Sequence, residues 1–174
     1  MQTLRSSVLR PATVVAATVV LASSFAGRAS AATYRSANGF QITPPAGWTT
    51  SKGVMGSEVV FMGPTRENIN VVSQTVPRGT TLEKARAETI KLWPRMMTGY
   101  KVLGQGTTTL GGTRALTLTS GYEMGSPPQR LRAFQAFALR GGRIYVFTCT
   151  GREATYARYA ATFQKSLRTV RWTR

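Results

Sequence analysis

Hydrophobic and polar residues alternate in 40–43 and again from residue 68, and this period of two is typical of β-strands. The predicted strands are 40–43, 58–62 and 68–76. Turn-forming residues follow each of them: Pro44-Pro45-Ala46-Gly47-Trp48, then Gly63-Pro64, then Pro77-Arg78-Gly79. Since glycine and proline interrupt regular structure, this part of the chain is predicted to be a series of short strands.

The hydrophobic period changes to that of a helix after residue 80. Thr80-Thr81-Leu82-Glu83 has the form of a capping box, in which a hydroxyl and a carboxylate each bind a free backbone N–H. Pro94 is predicted to kink or end this helix. We interpret Trp93 and the Met96-Met97 pair as core residues rather than as a ligand-binding surface. The apolar stripe consists of Leu82, Ala85, Thr89, Leu92, Trp93 and Met96.

The strand pattern returns at residue 100. Strands are predicted at 100–103, 107–110 and 113–122, followed by a loop at 125–128. A glycine-punctuated turn is expected between the first two strands. Between the last two, Gly111-Gly112 is typical of a two-residue hairpin turn.

A second hairpin is predicted from strands at 130–139 and 143–150, joined by Gly141-Gly142. A tight turn places Leu139 opposite Ile144 on one face and Ala138 opposite Tyr145 on the other. Because both faces are largely apolar, we expect this hairpin in the middle of an antiparallel sheet that is covered on both sides. The same register pairs Phe137 with Val146, Gln135 with Thr148, Ala136 with Phe147 and Phe134 with Cys149.

A second helix supplies part of this cover. Thr150-Gly151-Arg152-Glu153 repeats the capping-box form. A short edge strand is predicted around Val170 and Trp172. The predicted fold class is α+β, a mostly antiparallel β-sheet flanked by helices on both faces, in one domain over residues 32–174. The apolar stripe of the second helix consists of Tyr156, Tyr159, Ala160, Phe163 and Leu167.

Residues 1–31 have the features of a secretory signal peptide. Arg5 and Arg10 provide a positive start, residues 12–25 are apolar, and Ala29-Ser30-Ala31 has the small-x-small form of a cleavage site. The alternative is a membrane anchor, which is disfavoured because the apolar run is short for a span of about 20 residues. We expect cleavage near Ala31, export to the periplasm or the medium, and no transmembrane span in the mature chain.

The residue types that most catalysis requires are absent from the sequence. It contains no His and no Asp, which excludes His-containing triads, Cys-His pairs and the usual zinc and calcium sites. Glu83 and Glu153 are assigned to helix caps. Nothing singles out a pair for glycoside hydrolysis among the other glutamates, Glu58, Glu67, Glu88 and Glu123. We therefore predict a protein that is not an enzyme, with no catalytic residue, no metal and no cofactor.

Two further residues have a structural and a functional interpretation. Cys149 ends the apolar run 144–149, which indicates a small buried residue rather than a reactive thiol. Trp48 follows a strand and a turn, and we interpret it as closing the end of the core rather than as stacking on a ligand.

The high positive charge of the chain is the feature of the sequence that most directly suggests a binding function. The net charge is +17, and removal of Arg5, Arg10 and Arg28 with the signal peptide leaves +14. Such charge attracts anions, and the arginine fork suits phosphate and carboxylate groups. The open alternative is that the basic surface only solubilises the protein. The candidate anion-binding residues are Arg130, Arg132, Arg140, Arg143, Arg158, Lys165, Arg168, Arg171 and Arg174.

Two motifs resemble a known family. Phe40-x-Ile42-x-x-Pro45-x-Gly47-Trp48 is similar to the opening of the PsbP-like superfamily, and Phe163-x-x-Ser166-Leu167 is similar to its final element. That superfamily includes photosystem II extrinsic proteins, DcrB-like bacterial envelope proteins and a Ran-binding nuclear import factor. The resemblance implies an α/β/α sandwich that binds partners and has no catalytic activity. The metal sites of the photosynthetic members use His and Asp, so no functional residue is carried over.

Three functions from different classes follow from these observations. The leading hypothesis is an exported accessory protein that docks, as a monomer, onto another envelope or secreted protein. The alternative is an anion-binding module for nucleic acid, an anionic cell-wall polymer or an anionic lipid headgroup, which uses the Arg-rich C-terminal half. A Glu-based hydrolase is the least favoured. Steep salt dependence would mark the second function, because contacts to polyanions release counterions.

Overall fold

The computed structural model describes residues 32–53 and 56–173. The predicted signal peptide, its cleavage site and Arg174 lie outside the described residues. Short 3₁₀ turns at Trp93–Arg95 and Glu153–Thr155 adjoin the helices. In chain order the elements are β1 (Tyr34–Arg35), β2 (Phe40–Ile42), β3 (Thr49–Lys52), β4 (Val59–Met62), β5 (Asn68–Thr75), α1 (Leu82–Leu92), β6 (Thr98–Leu110), β7 (Thr113–Met124), β8 (Gln129–Arg140), β9 (Arg143–Arg152), α2 (Tyr156–Arg168) and β10 (Arg171–Trp172).

Antiparallel pairing organises the strands into a large and a small sheet. Over the described residues, the large sheet has seven strands in the order β3-β4-β5-β9-β8-β7-β6, and the small sheet has three in the order β1-β2-β10. The β8–β9 hairpin has the predicted register, from Leu139 opposite Ile144 to Phe134 opposite Cys149. It lies between β5 and β7, which confirms its predicted place inside the sheet.

A layer covers each face of the large sheet. On one face α1 packs on a cluster that includes Leu116, Phe137 and Val146. On the other face α2 and the small sheet enclose a larger cluster. There Trp48 packs against Phe163 with ring centres 5.9 Å apart, so its predicted core position is confirmed. The structure thus confirms an α+β sandwich with helices on both faces of a mostly antiparallel sheet.

Both helices begin later than the capping-box motifs predict. The N-cap of α1 is Thr81, which accepts a hydrogen bond from Lys84 N at 3.1 Å. Thr80 is engaged in the preceding turn, where its hydroxyl donates to Pro77 O at 2.7 Å. Thr150 remains in β9, paired on both sides, so α2 starts only at Tyr156. Both predicted caps are wrong because a turn and a strand ladder hold these threonines.

The predicted turn between residues 103 and 107 is also wrong, since β6 continues from Thr98 to Leu110. The pairing of β6 with β7 has register shifts between Thr98 and Lys101 and between Val102 and Gly104, which are β-bulges within a continuous strand. A Cβ added to Gly106 would lie 3.1 Å from Thr117 Oγ1 on β7. Glycine at this position therefore permits a close approach between neighbouring strands and does not form a turn.

The end of α1 follows the prediction in part. Pro94 lies in the 3₁₀ turn that ends the helix, and Trp93 is 1% exposed. Met96 is 45% exposed, so its predicted core position is wrong. A 3₁₀ turn has about three residues per turn instead of 3.6, which rotates the following side chain away from the helical stripe.

Candidate binding surfaces

Glu58 is the centre of a hydrogen-bonded cluster that joins the two sheets. Its carboxylate accepts hydrogen bonds from Tyr34 OH (3.1 Å), Asn38 Nδ2 (2.9 Å), Ser73 Oγ (2.7 Å) and Ser36 Oγ. Partial burial acts to raise the pKa of Glu58, but the hydrogen bonds outweigh it and hold the pKa below its usual range. This glutamate is therefore a structural anion and is poorly suited to donate a proton in hydrolysis.

The thiol of Cys149 has no access to solvent, with 0% of the residue exposed. Burial raises the pKa of the Cys149 thiol, so the nucleophilic thiolate is not formed at neutral pH. Its predicted structural role is confirmed. Across residues 32–53 and 56–173, no group of three or more Cys and Glu side chains is arranged to hold a metal ion.

The predicted anion-binding residues do not come together in one patch. Arg174 lies outside the described residues, and the others are spread over both ends of the sheet and over α2. They occupy the start of β8 (Arg130, Arg132), the β8–β9 turn (Arg140, Arg143), α2 (Arg158, Lys165, Arg168) and β10 (Arg171).

Several of these arginines are engaged within the domain. Arg130 Nε lies 3.5 Å from Glu123 Oε1, and Arg132 Nη2 lies 3.5 Å from Glu153 Oε1. Arg171 Nη1 donates to Arg168 O, at the end of α2, and to Val170 O, just after the helix. These contacts leave fewer cations for a ligand than the sequence suggests.

The solvent face of α2 keeps a stripe of cations. Arg158, Lys165 and Arg168 are exposed, and their spacing of seven and three residues places them on one side of the helix. The sequence of α2 contains no acidic residue. None of the three forms an ion pair with a described carboxylate. This α2 stripe is the part of the predicted set whose geometry suits an extended anion.

β6 forms a long edge of the large sheet. As far as the structure describes the chain, β6 pairs with β7 alone, and an edge strand presents unpaired N–H and C=O groups along its outer side. The large hydrophobic side chains that are exposed within the described ranges all lie where this edge begins. They are Met96 (45%), Val102 (39%) and Leu103 (47%).

The second half of β6 lacks the features that usually protect a sheet edge. Charged residues, proline and bulges discourage the pairing of a further strand. From Gly104 to Leu110, β6 pairs with β7 without a register shift, and the segment contains no charged residue and no proline. The opposite edge, β3, is only four residues long and ends in Lys52. The β6 edge is therefore the better template for strand addition.

A cavity of ≈ 490 Å³ lies where the β4–β5 turn, the β7–β8 loop and the end of β9 meet. Arg66, Asn68, Thr150 and Arg152 contribute to its lining. Another cavity, of ≈ 500 Å³, lies between α2 and the loop before β3, and Lys165 lines it. Neither cavity was predicted, because each is lined by segments far apart in sequence. The available signal was Asn68 at the start of β5 and Thr150 near the end of β9, two polar residues next to the apolar residues Ile69 and Cys149.

Comparison with known proteins identifies a family and a fold. Residues 32–172 match the family described as "Serine/threonine kinase C-terminal domain". Comparison with curated proteins finds no match. Similar solved structures include PsbP (CyanoP) from Synechocystis sp. PCC 6803, with a TM-score of 0.62 and 17% identity over 86% of this chain and 98% of that chain.

Two further structures are similar at lower scores. LpqN of Mycobacterium tuberculosis, described as involved in cell envelope biogenesis, has a TM-score of 0.56 and 12% identity over 78% of this chain and 83% of that chain. The Ran-binding protein Mog1p of Saccharomyces cerevisiae has a TM-score of 0.52 and 15% identity over 75% and 88%. At such low identities these TM-scores show a shared fold alone, and they confirm the PsbP-like resemblance as one of fold. No helix in the described part of the chain has the length and apolar character of a membrane span.

Proposed function

Because this chain belongs to the serine/threonine kinase C-terminal domain family, we propose that it is a non-catalytic binding domain that holds an extended, acidic segment of another protein along β6. Protein kinases use Asp residues to hold Mg²⁺ and to accept the proton of the substrate. The sequence contains no Asp, so membership of this family brings no phosphotransfer chemistry to the chain. The proposed role of the domain is therefore to bind a partner protein and not to catalyse a reaction.

The open β6 edge beside exposed apolar side chains is the observation that supports this function most directly. Strand addition to a sheet edge gains affinity from main-chain hydrogen bonds and specificity from side-chain contacts. Gly104 to Leu110 offers the regular backbone, and Val102 and Leu103 offer the apolar contacts. Exposed hydrophobic patches on folded domains commonly mark interaction sites.

The charge around this edge favours an acidic partner. Arg95 and Lys101 are exposed beside Met96 and Val102. Arg86 Nη1 lies against the same strand and donates to Gly106 O at 3.3 Å. Complementary charge across an interface speeds encounter and selects the partner.

A single copy of the domain outside the cytoplasmic membrane is the form that we propose. The signal-peptide features of residues 1–31 support export, and the net charge of +14 after their removal supports a monomer. Pairing of two β6 edges would bring two strongly basic chains together, and their repulsion opposes it. The partner on β6 is therefore expected to be a different protein.

Site-specific photo-cross-linking tests this function. A benzoylphenylalanine placed at Thr107, which is exposed on β6, is expected to cross-link one protein in an extract of the native envelope. The same group at Ser51 on β3, the opposite edge, is the matched control. A synthetic peptide of the cross-linked segment should be rich in Asp and Glu, and it should shift the amide resonances of residues 104–110. Its binding should weaken in Leu103→Ser.

Several outcomes would overturn the β6 proposal. These are equal cross-linking from Ser51, the absence of a product specific to position 107, a peptide that binds elsewhere, and a cross-link to a second copy of this chain. The last result would make β6 a dimer interface.

The α2 stripe supports a second candidate function, the anion-binding module for nucleic acid, wall polymer or lipid headgroup. Arg158, Lys165 and Arg168 lie along one side of α2, and the helix contains no acidic residue. A polyanion presents charges at regular spacing, so a line of cations suits it better than scattered ones. Binding of this kind would weaken steeply with salt, whereas binding at β6 would weaken only in part.

A further inference from the structure

A row of buried polar side chains crosses the face of the large sheet on which α1 packs. Cross-strand pairing places Asn68 opposite Thr150, Asn70 opposite Thr148, and Thr148 opposite Gln135. Paired residues share a face, so these side chains form a continuous polar row, and each of them is at most 4% exposed. Asn70 Nδ2 donates to Asn68 Oδ1 at 3.5 Å, and Gln135 Nε2 donates to Thr148 Oγ1 at 3.4 Å. Gln135 Oε1 and Thr150 Oγ1 have no hydrogen-bond partner among the described residues, and buried polar atoms without partners destabilise a protein.

The row ends in the cavity of ≈ 490 Å³. Asn68 and Thr150 line this cavity together with Met124, Gln129 and Leu131. Thr150 is 2% exposed, and its Oγ1 has no hydrogen-bond partner among the described residues. The volume is within the range of about 300–1,000 Å³ that small-molecule sites occupy.

The cavity is positively charged. Arg66 and Arg152 contribute to its wall and are exposed, and no described residue that lines it is acidic. The nearby carboxylates of Glu123 and Glu153 lie beside Arg130 and Arg132 instead. Arg66 and Arg152 form no ion pair with any carboxylate in the described ranges.

Arg66 occupies a backbone conformation that favours glycine. Its φ is +72°, in the tight turn where Arg66 N donates to Gly63 O at 3.2 Å and Gly63 N donates to Glu67 O at 2.8 Å. A side chain in the left-handed region is costly and is typical of functional sites. Arg66 is among the residues that line the cavity, so this turn adds a cation to the cavity wall at the expense of local backbone stability.

We propose that this cavity binds a small organic anion that carries hydroxyl groups. Arg66 and Arg152 hold its phosphate or carboxylate, and Thr150 Oγ1 and the Asn68 amide bind its hydroxyl groups. Met124 and Leu131 contact its carbon skeleton. This site is separate from β6 and from the α2 stripe.

Titration of the ¹⁵N-labelled domain tests the site with defined probes. Glucose 6-phosphate and glucuronate distinguish a phosphate from a carboxylate, and inorganic phosphate and glucose test each half of the ligand alone. We expect one of the two sugar anions to shift the amides of residues 65–68, 124–131 and 150–152 at millimolar concentration. Glucose and phosphate should bind about tenfold more weakly, since each makes only part of the contacts.

Variants separate a built site from general attraction to a basic surface. Arg66→Gly should weaken binding of the sugar anion about tenfold without lowering the melting temperature, because glycine relieves the backbone strain. Thr150→Val should weaken binding while the fold is retained. Arg78→Gln, an exposed arginine in the turn at the other end of β5, is the matched control and should bind normally.

Three results would overturn the cavity proposal. They are shifts spread over all exposed arginines, equal losses in Arg78→Gln and Arg66→Gly, and no shift of the cavity amides by either sugar anion. The last result would mean that the polar row holds only water.

Discussion

At the scale of single residues, Glu58 holds the two sheets together. Its carboxylate accepts hydrogen bonds from Tyr34 on β1 and Asn38 between β1 and β2, which belong to the small sheet and its loop, and from Ser73 on β5 of the large sheet. Tyr145 OH also donates to Asn38 O at 2.6 Å, so the same segment is tied to β9. The ionised carboxylate is the acceptor in this cluster, and the attachment of the small sheet should therefore depend on pH.

Glu58→Gln is expected to lower the free energy of unfolding by about 1–3 kcal/mol near neutral pH, because an amide N–H₂ would face other donors. The pKa of Glu58 is depressed in the folded state. Its ionised form therefore contributes stability above the ordinary pKa of about 4.3, and this contribution is lost as pH falls through the folded pKa.

Urea denaturation at a series of pH values measures this effect. Wild type should lose more stability on acidification than Glu58→Gln. Glu88→Gln, an exposed change on α1, should behave like wild type. If the free energy of unfolding depends on pH equally in wild type and Glu58→Gln, the Glu58 carboxylate is not the source of the pH dependence.

At the scale of elements, the β6–β7 hairpin shows how a turn is constrained by more than its own backbone. Gly111 and Gly112 have φ of +53° and +82°, a region that favours glycine. A Cβ at Gly112 would meet no described atom within 4 Å. At Gly111 it would lie 3.0 Å from Trp172 Cδ1 and from Val170 O. The C-terminal segment thus restricts one glycine of the pair.

Gly111→Ala is expected to destabilise the domain by about 1–2 kcal/mol more than Gly112→Ala. Both variants share the backbone strain of a left-handed residue, about 1–2 kcal/mol, and only the first adds overpacking. Trp172 cannot move freely, because its Nε1 donates to Leu110 O at 2.9 Å. Urea denaturation of the two variants gives the difference, and equal losses would show that the C-terminal segment yields without cost.

At the scale of the whole molecule, anion binding could depend on the net charge of +14 or on the local arrangement of cations in the α2 stripe. A general field depends on the total charge, wherever the cations lie. A binding surface depends on their arrangement. The helices α1 and α2 lie on opposite faces of the sheet, so charge reversals on each helix separate the two effects.

Arg158→Glu with Lys165→Glu should reduce the salt concentration that elutes the protein from heparin, with the melting temperature unchanged because both residues are exposed. Lys84→Glu with Lys91→Glu removes the same charge from α1 and should have a smaller effect. If both double variants elute at the same salt concentration, only total charge matters and the α2 stripe is not a binding surface.

Elements whose pattern depends on close neighbours along the chain can be predicted from the amino-acid sequence. Two apolar faces and a Gly-Gly turn in residues 130–150 were sufficient for the register of β8–β9 and for its central place. The stripe of α2 and the buried position of Cys149 follow in the same way. The lack of His and Asp restricts the chemistry through composition alone, because a residue type that is missing from the chain cannot be supplied by folding.

The surfaces that can bind a partner become visible only in the folded domain. Thr80 and Thr150 match a capping motif, but a turn and a strand ladder hold them instead. The cavity beside Arg66 is formed by segments that are distant in sequence, and β6 is an edge because no strand other than β7 pairs with it in the described part of the chain. Whether an edge is covered, a cation is paired or a hydroxyl is left without a partner depends on which strands meet. That information lies in long-range pairing, because hydrophobic period and turn residues report only on the local chain.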